Sequence, residues 1–370
     1  MMKDWLEGYI REALKELGIA EVAFALEHPA EMAHGDWATN AAMVAAKNAK
    51  KNPRALAEEI VGKLKEGNHP DIAEITVAGP GFINFTVSPT VFDKELARAI
   101  SEGEKWGRNN TLKGKKVMVE YTDPNPFKEF HIGHLMSNAI GESISRLVEA
   151  SGAEVKRACY QGDVGLHVAK AIWGMGAKNE NSLEFTELKH FGKTISEFTA
   201  MLGKWYAEGA TAYDGDLKSR DSIQKINVRL YALVDKKREE VPPGWDKLLL
   251  YYYEDGKKVS LQYFEYIYKR LGTEFDHFFF ESETGETGKK IVEENKGKIF
   301  EESEGAIVFH AEKYNPKLHT RVFVNKDGLP TYEAKELCLA KTKYKKFPYD
   351  VSIVITGNEV NDYFLVLLEA

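Results

Sequence analysis

The stretch Val117-Met-Val-Glu-Tyr-Thr-Asp-Pro-Asn-Pro-Phe-Lys-Glu-Phe-His-Ile-Gly-His-Leu135 decides the fold. Val117–Tyr121 is an apolar strand, and a Pro/Asn loop follows it. A helix comes next, with Ile132, Leu135, Ala139, Ile140, Ile144, Leu147 and Val148 on one side. Ser151-Gly152 stops the helix, and Glu154–Tyr160 reads as another strand. A strand–helix–strand order of this length predicts a right-handed parallel crossover. Ligands of such sheets sit beyond the carboxyl ends of the strands, which is where loop 122–131 lies. The helix N-terminus there offers free N–H groups and partial positive charge. Two imidazoles, His131 and His134, can add hydrogen bonds to a phosphoryl group, so the stretch predicts a nucleotide-handling site.

The histidine pair has two other readings. Residues at i and i+3 can share a metal, yet no glutamate follows in zincin spacing and no third ligand is evident. Isolated histidines at a helix start are most often structural. Here Pro124, Asn125, Lys128 and Gly133 share the loop with the pair, which favours phosphate contact. Gly133 lets a ligand approach the backbone closely.

Before this stretch the periodicity predicts a helix over 4–17, a strand-like run Val22–Leu26, and helices over 38–49 and 53–65, the last with Pro53 in its first turn. Ile75–Ala78 and Phe82–Val87 flank Gly79-Pro80-Gly81 as two strands about a tight turn, and a helix covers about 89–102. This is an α+β unit of about 100 residues, followed by a polar linker from Gly103 to Lys116. After it, 165–310 is mostly helical in pattern, most clearly over 259–271, with a break at Pro242-Pro243-Gly244. Strands return at 306–310 and 321–324, then a helix at about 333–343, a buried-strand run Val351–Thr356 and an apolar helical start from Tyr363. The domain expectation is 1–110 for the first unit and 111–370 for a parallel-sheet domain with an insertion at about 175–305.

Composition sets bounds. The 370 residues, 43% hydrophobic and 29% charged, fit two or three globular domains. No apolar run reaches the roughly 18–20 residues of a membrane span, and the N-terminus is not a signal peptide. Cys159 and Cys338 offer neither a disulfide framework nor a zinc cluster, so a reducing cytoplasm is the simplest compartment. A net charge of −7 argues only weakly against a nucleic-acid partner, because a basic face can coexist with an acidic whole. Gly285-Glu-Thr-Gly288-Lys289-Lys290 lacks the spacing of a phosphate loop and reads as a charged loop. The basic run Lys341–Lys346 reads as a solvated helix end. No dinucleotide glycine fingerprint is present.

Asp123-Pro-Asn-Pro-Phe-Lys-Glu-Phe-His-Ile-Gly-His-Leu135 resembles the first signature of class I aminoacyl-tRNA synthetases, in the form found in arginyl-tRNA synthetases. Gly35-Asp-Trp-Ala-Thr-Asn-Ala-Ala-Met and Gly79-Pro-Gly-Phe-Ile-Asn-Phe85 resemble that family's N-terminal additional domain. Tyr160-Gln-Gly-Asp163-Val-Gly165 is similar to its glycine–aspartate segment, and Gly328-Leu-Pro-Thr-Tyr332 to the segment re-entering the catalytic sheet. The resemblance covers almost the whole chain. It implies a Rossmann-like α/β catalytic domain with a helical insertion, preceded by a small α+β domain. It also implies an arginine–tRNA ligase using ATP and Mg²⁺, with tRNA(Arg) and L-arginine as partners, working as a cytoplasmic monomer without a membrane.

Carried over residue by residue, the resemblance gives His131, His134 and Lys128 catalytic roles at the ATP phosphates, with Gly133 beneath the adenosine. It gives Glu120, Asn125, Tyr332 and Glu336 to substrate arginine. A carboxylate suits the planar guanidinium fork. Glu336 stands where the family usually has aspartate, so pocket shape is a point of departure. Val360, in Thr356-Gly-Asn-Glu-Val-Asn-Asp362, replaces a family glutamine, which Asn358 could substitute. Phe82 and Asn84 match positions that read the tRNA D-loop, by stacking and edge recognition of a splayed base. Phe82 as a strand core residue is an equal reading on pattern alone.

The second class I signature, Lys-Met-Ser-Lys, and a C-terminal anticodon-binding domain do not occur in these residues. The expectation is therefore the first half of a catalytic fold, inactive alone, with apolar surface exposed along Val351–Thr356 and Tyr363–Leu368. One rival is a non-catalytic tRNA-binding half-synthetase. Another is a class I ligase for a different amino acid, against which the Asn125–Lys128 loop argues.

Overall fold

The computed structural model describes residues 2–178 and 194–370. It divides into two compact units, Met1–Gly107 and Arg108–Ala370.

In the first unit, α1 (Met2–Glu16), α2 (Ala41–Ala49) and α3 (Pro53–Glu66) cover an antiparallel sheet. The sheet has the order β1-β2-β4-β3, with β1 Leu26–Glu27, β2 Trp37–Thr39, β3 Ile72–Ala78 and β4 Phe82–Val87. Leu6, Ile10, Leu14, Leu56, Ile60, Ile83 and Phe85 fill the space between the layers. Asn52 starts α3 by accepting from the Arg54 and Ala55 amides, ahead of Pro53. Two expectations are corrected. The helix expected from 38 begins at Ala41, because Trp37–Thr39 pairs with Phe85, Asn84 and Ile83 as a strand. The strand-like run Val22–Leu26 reaches the sheet only at Leu26. The unit ends in α4 (Pro89–Glu102).

Phe82 and Asn84 lie on one face of β4, as alternate residues of a strand must. Phe82 is 38% exposed, so it is not a core residue, whereas Asn84 is buried at 6%. The aromatic of this pair is thus exposed, while the amide beside it is buried.

The second unit is built on a parallel sheet of order β11-β5-β6-β7, with β5 Lys116–Glu120, β6 Glu154–Gln161, β7 His277–Phe280 and β11 Val351–Val354. All three pairings are parallel. Helix α5 (Ile132–Ala150) connects β5 to β6. Between β6 and β7 lie α6 (Leu166–Gly174), α7 (Ile195–Gly215), α8 (Leu217–Leu233) and α9 (Trp245–Leu271), packed around Ile172, Leu202, Ile226, Leu230 and Leu249. After β7 come α10 (Glu281–Glu294) and an antiparallel sheet of β8 (Glu301–Ser303), β9 (Ala306–Phe309) and β10 (Arg321–Val324). Helix α11 (Tyr332–Lys346) returns the chain to β11, and α12 (Asn361–Glu369) follows.

Several sequence expectations change here. β7 lies beside β6 in the parallel sheet, inside the range expected for the insertion. The part of that range over 179–193 lies outside the described residues. Gly285–Lys290 is helix, not a charged loop. A Cβ at Gly288 would stand 2.1 Å from the Ala334 carbonyl oxygen, so this glycine lets α10 and α11 touch backbone to backbone. The apolar stripe of α5 faces outward, with Ile132 77% and Leu147 67% exposed, while Asn138, Gly141 and Ser145 are its buried face. A Cβ at Gly141 would meet the Tyr121 ring at 2.2 Å, so small residues are what bring α5 down onto β5. At the sheet edge Val351 is exposed, and Leu365 and Leu368 of α12 are exposed too.

Candidate active site

Four chain segments converge at the carboxyl ends of the parallel strands. β5 ends at Glu120, β6 runs into Gly162-Asp163, β7 into Glu281, and α11 approaches from the sheet's flank. Loop 122–131 crosses among them in a constrained backbone. Thr122, Asp123 and Phe127 all have positive φ, at 77°, 44° and 68°. Such residues cost on the order of 1–3 kcal/mol each and persist only where surroundings hold them. The holding contacts are visible. The Thr122 amide donates to Ser137 Oγ of α5, and Asp123 Oδ1 accepts from the Tyr160 amide at 2.7 Å. The fully buried Phe127 donates its amide to Ser260 Oγ of α9 and presses its ring on Gly256.

The loop ends in a reciprocal helix cap. His131 is the N-cap of α5, and its Nδ1 accepts from the Gly133 amide at 3.1 Å. His134 Nδ1 accepts from the His131 amide at 3.2 Å. This is a capping box made of two imidazoles, which stack 3.7 Å apart with planes 21° from parallel. An imidazole nitrogen that accepts an N–H carries no proton, so each neutral ring has its proton on Nε2. Burial, and then the charges of His131 and Lys128, push the His134 pKa down to about 4. The cap therefore offers two neutral Nε2–H donors. Gly133 is needed for a second reason beyond ligand approach, since a Cβ there would crowd the His131 ring at 3.0 Å.

The carboxylates gather deeper. Glu120, buried, accepts from Lys343 at 3.0 Å. Lys343 is therefore not part of a solvated helix end, as the basic run suggested; it is buried and committed to β5. Glu281, also buried, pairs with Lys335 at 2.5 Å. Among the described residues Glu336 has no such cationic partner of its own; burial first, and then the charge of Glu120, raise its pKa to about 8. Burial and Glu120 also hold Asp123 well above the ordinary carboxylate range. The pocket thus carries more carboxyl groups than cations and keeps part of its charge masked by protons. A guanidinium would complete such a set.

Of the residues expected at an arginine site, Glu120 acts on the titration of Glu336, and both act on that of Lys343. Asn125 accepts from the Gly162 amide at 3.1 Å. A Cβ on Gly162 would lie 2.4 Å from Asn125 Oδ1 and 3.0 Å from Glu281 Oε1, so these two groups flank one point. Tyr332 stands at the start of α11 with the Lys335 ammonium 5.2 Å from its ring, and Glu281's charge raises its pKa to about 12. Lys128 lies over the Tyr206 ring at 5.0 Å, and burial lowers its pKa. Val360 and Asn358 occupy a single 3-10 turn before α12.

Three groups were not singled out from the sequence: Glu281, Lys335 and the hub role of Asp163. Asp163 is fully buried and accepts from Tyr253 Oη, Lys257 Nζ, and the Ser282 amide and hydroxyl at 2.6–2.9 Å. It ties β6, α9 and α10 together. The signal for Glu281 was present: His277-Phe-Phe-Phe-Glu281 repeats the pattern of Val117-Met-Val-Glu120, an apolar strand ending on a carboxylate.

Comparison with known proteins follows the two units. Residues 4–87 match a family model described as the arginyl tRNA synthetase N terminal domain, and 95–368 one described as tRNA synthetases class I (R), catalytic domain. An arginine–tRNA ligase of Geobacter sp. (strain M21) is 30% identical over 347 residues, covering 92% of this chain and 57% of the relative. One of Bacillus subtilis (strain 168) is 28% identical over 370 residues, covering 98% of this chain and 61% of the relative. This chain thus spans under two thirds of the length of those relatives. In fold it is similar to the arginyl-tRNA synthetase of Plasmodium falciparum, with TM-score 0.66, 17% identity, and coverage of 100% of this chain and 61% of that one. It is also similar to that of Thermus thermophilus, with TM-score 0.56, 23% identity, and coverage of 92% and 53%.

Proposed function

This chain belongs to the class I arginyl-tRNA synthetase family, and from that membership we propose that it carries the ATP- and arginine-handling part of an arginine–tRNA ligase. The supporting observation is the juxtaposition at the carboxyl end of the parallel sheet of a double-histidine helix cap and the carboxyl set Glu120, Glu281 and Glu336.

The chemistry has two steps. A carboxylate oxygen of arginine attacks the α-phosphorus of ATP and expels pyrophosphate, giving a mixed anhydride. A ribose hydroxyl at the 3′-terminal adenosine of tRNA(Arg) then attacks the carbonyl carbon and expels AMP. In the first step charge builds on phosphoryl oxygens, where positioning and donors dominate. His131 and His134 supply neutral Nε2–H donors, Gly133 lets the adenosine come close, and Lys128 adds positive charge. Glu120 and Asn125 serve the α-amino and carboxylate end of arginine. Glu336, with Tyr332 as a wall, takes the guanidinium, and Glu281 extends the acidic surface. Among the described residues no group of three or more His, Cys, Asp or Glu is arranged to hold a metal. Mg²⁺ would arrive on the triphosphate.

The first unit would serve the tRNA D-loop through Phe82, whose ring is available for stacking. Asn84, being buried, would contribute by shaping the strand surface or after local movement. Among the described residues no helix is long and apolar enough to cross a membrane; a monomer in the cytoplasm completes the reading. The test is pyrophosphate exchange into ATP by the native gene product with tRNA present. Arginine dependence supports the ligase, and exchange with another amino acid overturns it.

A further inference from the structure

Helix α4 turns its charged side toward its own unit and its apolar side to solvent. It runs for 14 residues, about 21 Å, from Pro89 in its first turn to the Gly103 that ends it. None of its residues is buried. Val91, Lys94, Glu95 and Arg98 line a cleft of about 770 Å³, with Trp5 and Trp37 also in its lining. Lys94 is tied to Asp71, just ahead of β3, at 2.8 Å. A helix packed on a core presents apolar residues to it; α4 presents three charged residues and one valine.

The opposite side is a continuous stripe. Phe92, Leu96 and Ile100 recur every fourth residue and are 58%, 62% and 75% exposed. Ala99 lies in the same seam and leaves room for a neighbour's side chains. Single exposed apolar residues are ordinary, but an unbroken row on one helix marks a contact surface. At about 100° per residue, Asp93 falls on one border of the stripe and Glu95 and Glu102 on the other. All three are exposed. Among the described residues Asp93 has no cationic partner, and Glu95 and Glu102 share Arg98.

Those acidic borders select the occupant. A helix has its backbone hydrogen bonds closed, so it takes up a partner through rows of side chains, and the ridges of another helix fit its grooves. A second copy of α4 would set acidic border against acidic border, whether parallel or antiparallel, and like charges so placed repel. An anionic lipid surface would meet the same repulsion. We infer that α4 docks a basic amphipathic helix of another protein, with the partner's apolar row on Phe92, Leu96 and Ile100 and its lysines or arginines beside Asp93 and Glu102. No residue of the candidate active site takes part, so the inference stands apart from the ligase reading.

The test is fluorescence anisotropy with the native gene product and a fluorescein-labelled leucine–lysine amphipathic helix, beside a twin carrying glutamate in place of every lysine. The lysine probe should bind and the glutamate twin should not. Leu96→Gln should weaken the lysine probe about tenfold, which corresponds to about 1.4 kcal/mol, and Leu96→Met should restore it. Asp93→Lys should weaken the lysine probe at low salt, with the difference fading as salt screens the pair, and should improve binding of the glutamate twin. A native protein that ignores the lysine probe, or binds both probes equally, overturns the inference. Binding indifferent to both Leu96→Gln and Asp93→Lys does the same. Sedimentation and flotation with phosphatidylcholine vesicles address the other occupants: a dimer or a vesicle attachment abolished by Leu96→Gln overturns the inference and gives the stripe to a second copy or to a membrane. A fall in urea-unfolding stability of Leu96→Gln as large as its loss of binding would show the stripe packed within this chain, which also overturns it.

Discussion

His131 and His134 cap one another's turn: each Nδ1 accepts a backbone N–H, and the rings stack at 3.7 Å. The helix start and the proposed phosphate donors are therefore the same two side chains. Protonating either Nδ1 breaks the cap, and burial already disfavours it at His134. Nitrogen-15 spectra of the chain should show both rings as Nε2–H tautomers at pH 7, with His134 titrating only near pH 4. A titration of His134 near its ordinary 6.5 would contradict the cap.

The same geometry separates two substitutions. Asparagine at 134 can keep the acceptor near the Nδ1 position, whereas glutamine reaches the Nε2 position and leaves the His131 amide without its acceptor. His134→Gln should cost about 1 kcal/mol in urea unfolding, and His134→Asn less. His134→Asn should still lower exchange by about 10²–10³-fold, the loss expected for one phosphoryl-oxygen donor. Equal stability together with full activity in both variants would remove the double role.

Glu336 makes the pocket pH-sensitive. Its pKa is raised to about 8 in the folded chain, against about 4.3 for an unperturbed glutamate. The folded state therefore binds more protons than the unfolded state between those values. The stability tied to that proton is present at acid pH and lost as pH rises through about 8. Arginine should bind more tightly over the same rise, because below it a proton must leave when the guanidinium arrives. Calorimetry in buffers of different ionisation enthalpy should detect proton release at pH 7. Glu336→Gln should abolish it, and release of equal size in that variant would refute the assignment.

Gly162 is a spacer between Asn125 and Glu281, the two groups proposed to face arginine. Its Cβ would collide with Asn125 Oδ1 at 2.4 Å and crowd Glu281 Oε1 at 3.0 Å. Gly162→Ala should raise the KM for arginine by about tenfold, which corresponds to about 1.4 kcal/mol, with a smaller change in the KM for ATP. An ATP effect as large as the arginine effect would place Asn125 and Glu281 elsewhere.

Asp163 holds the frame. Removing its carboxylate leaves Lys257, Tyr253 and Ser282 without their acceptor. Asp163→Ala should lower unfolding stability by about 3 kcal/mol. A change below about 0.5 kcal/mol, the usual size for unexceptional surface sites, would show that the hub is not structural.

Much of this was legible in the sequence because local rules carry it. The strand–loop–helix of 117–135 and the two strands about Gly79–Gly81 follow from periodicity and turn residues, and β5 and β6 do pair in parallel. Legibility failed where a neighbour reverses a local preference. Trp37–Thr39 has helical company in Ala41–Ala49 but is captured by β4. Gly285 and Gly288 look like loop residues, yet both lie within α10, where close contact with Ala334 makes glycine suitable at 288. The outward apolar face of α5 and the burial of Lys343 depend on what packs against each helix, which spacing alone does not contain. Glu281 was passed over although His277–Phe280 is an apolar run ending on a carboxylate, because the run lies in a region whose pattern reads as mostly helical.

The most direct test of the ligase reading is arginine-dependent pyrophosphate exchange by the native gene product, run with tRNA across a panel of amino acids. The expected result is exchange with arginine alone, depressed strongly by His131→Ala and by His134→Ala. Exchange that is indifferent to arginine, or unchanged by either substitution, would contradict it.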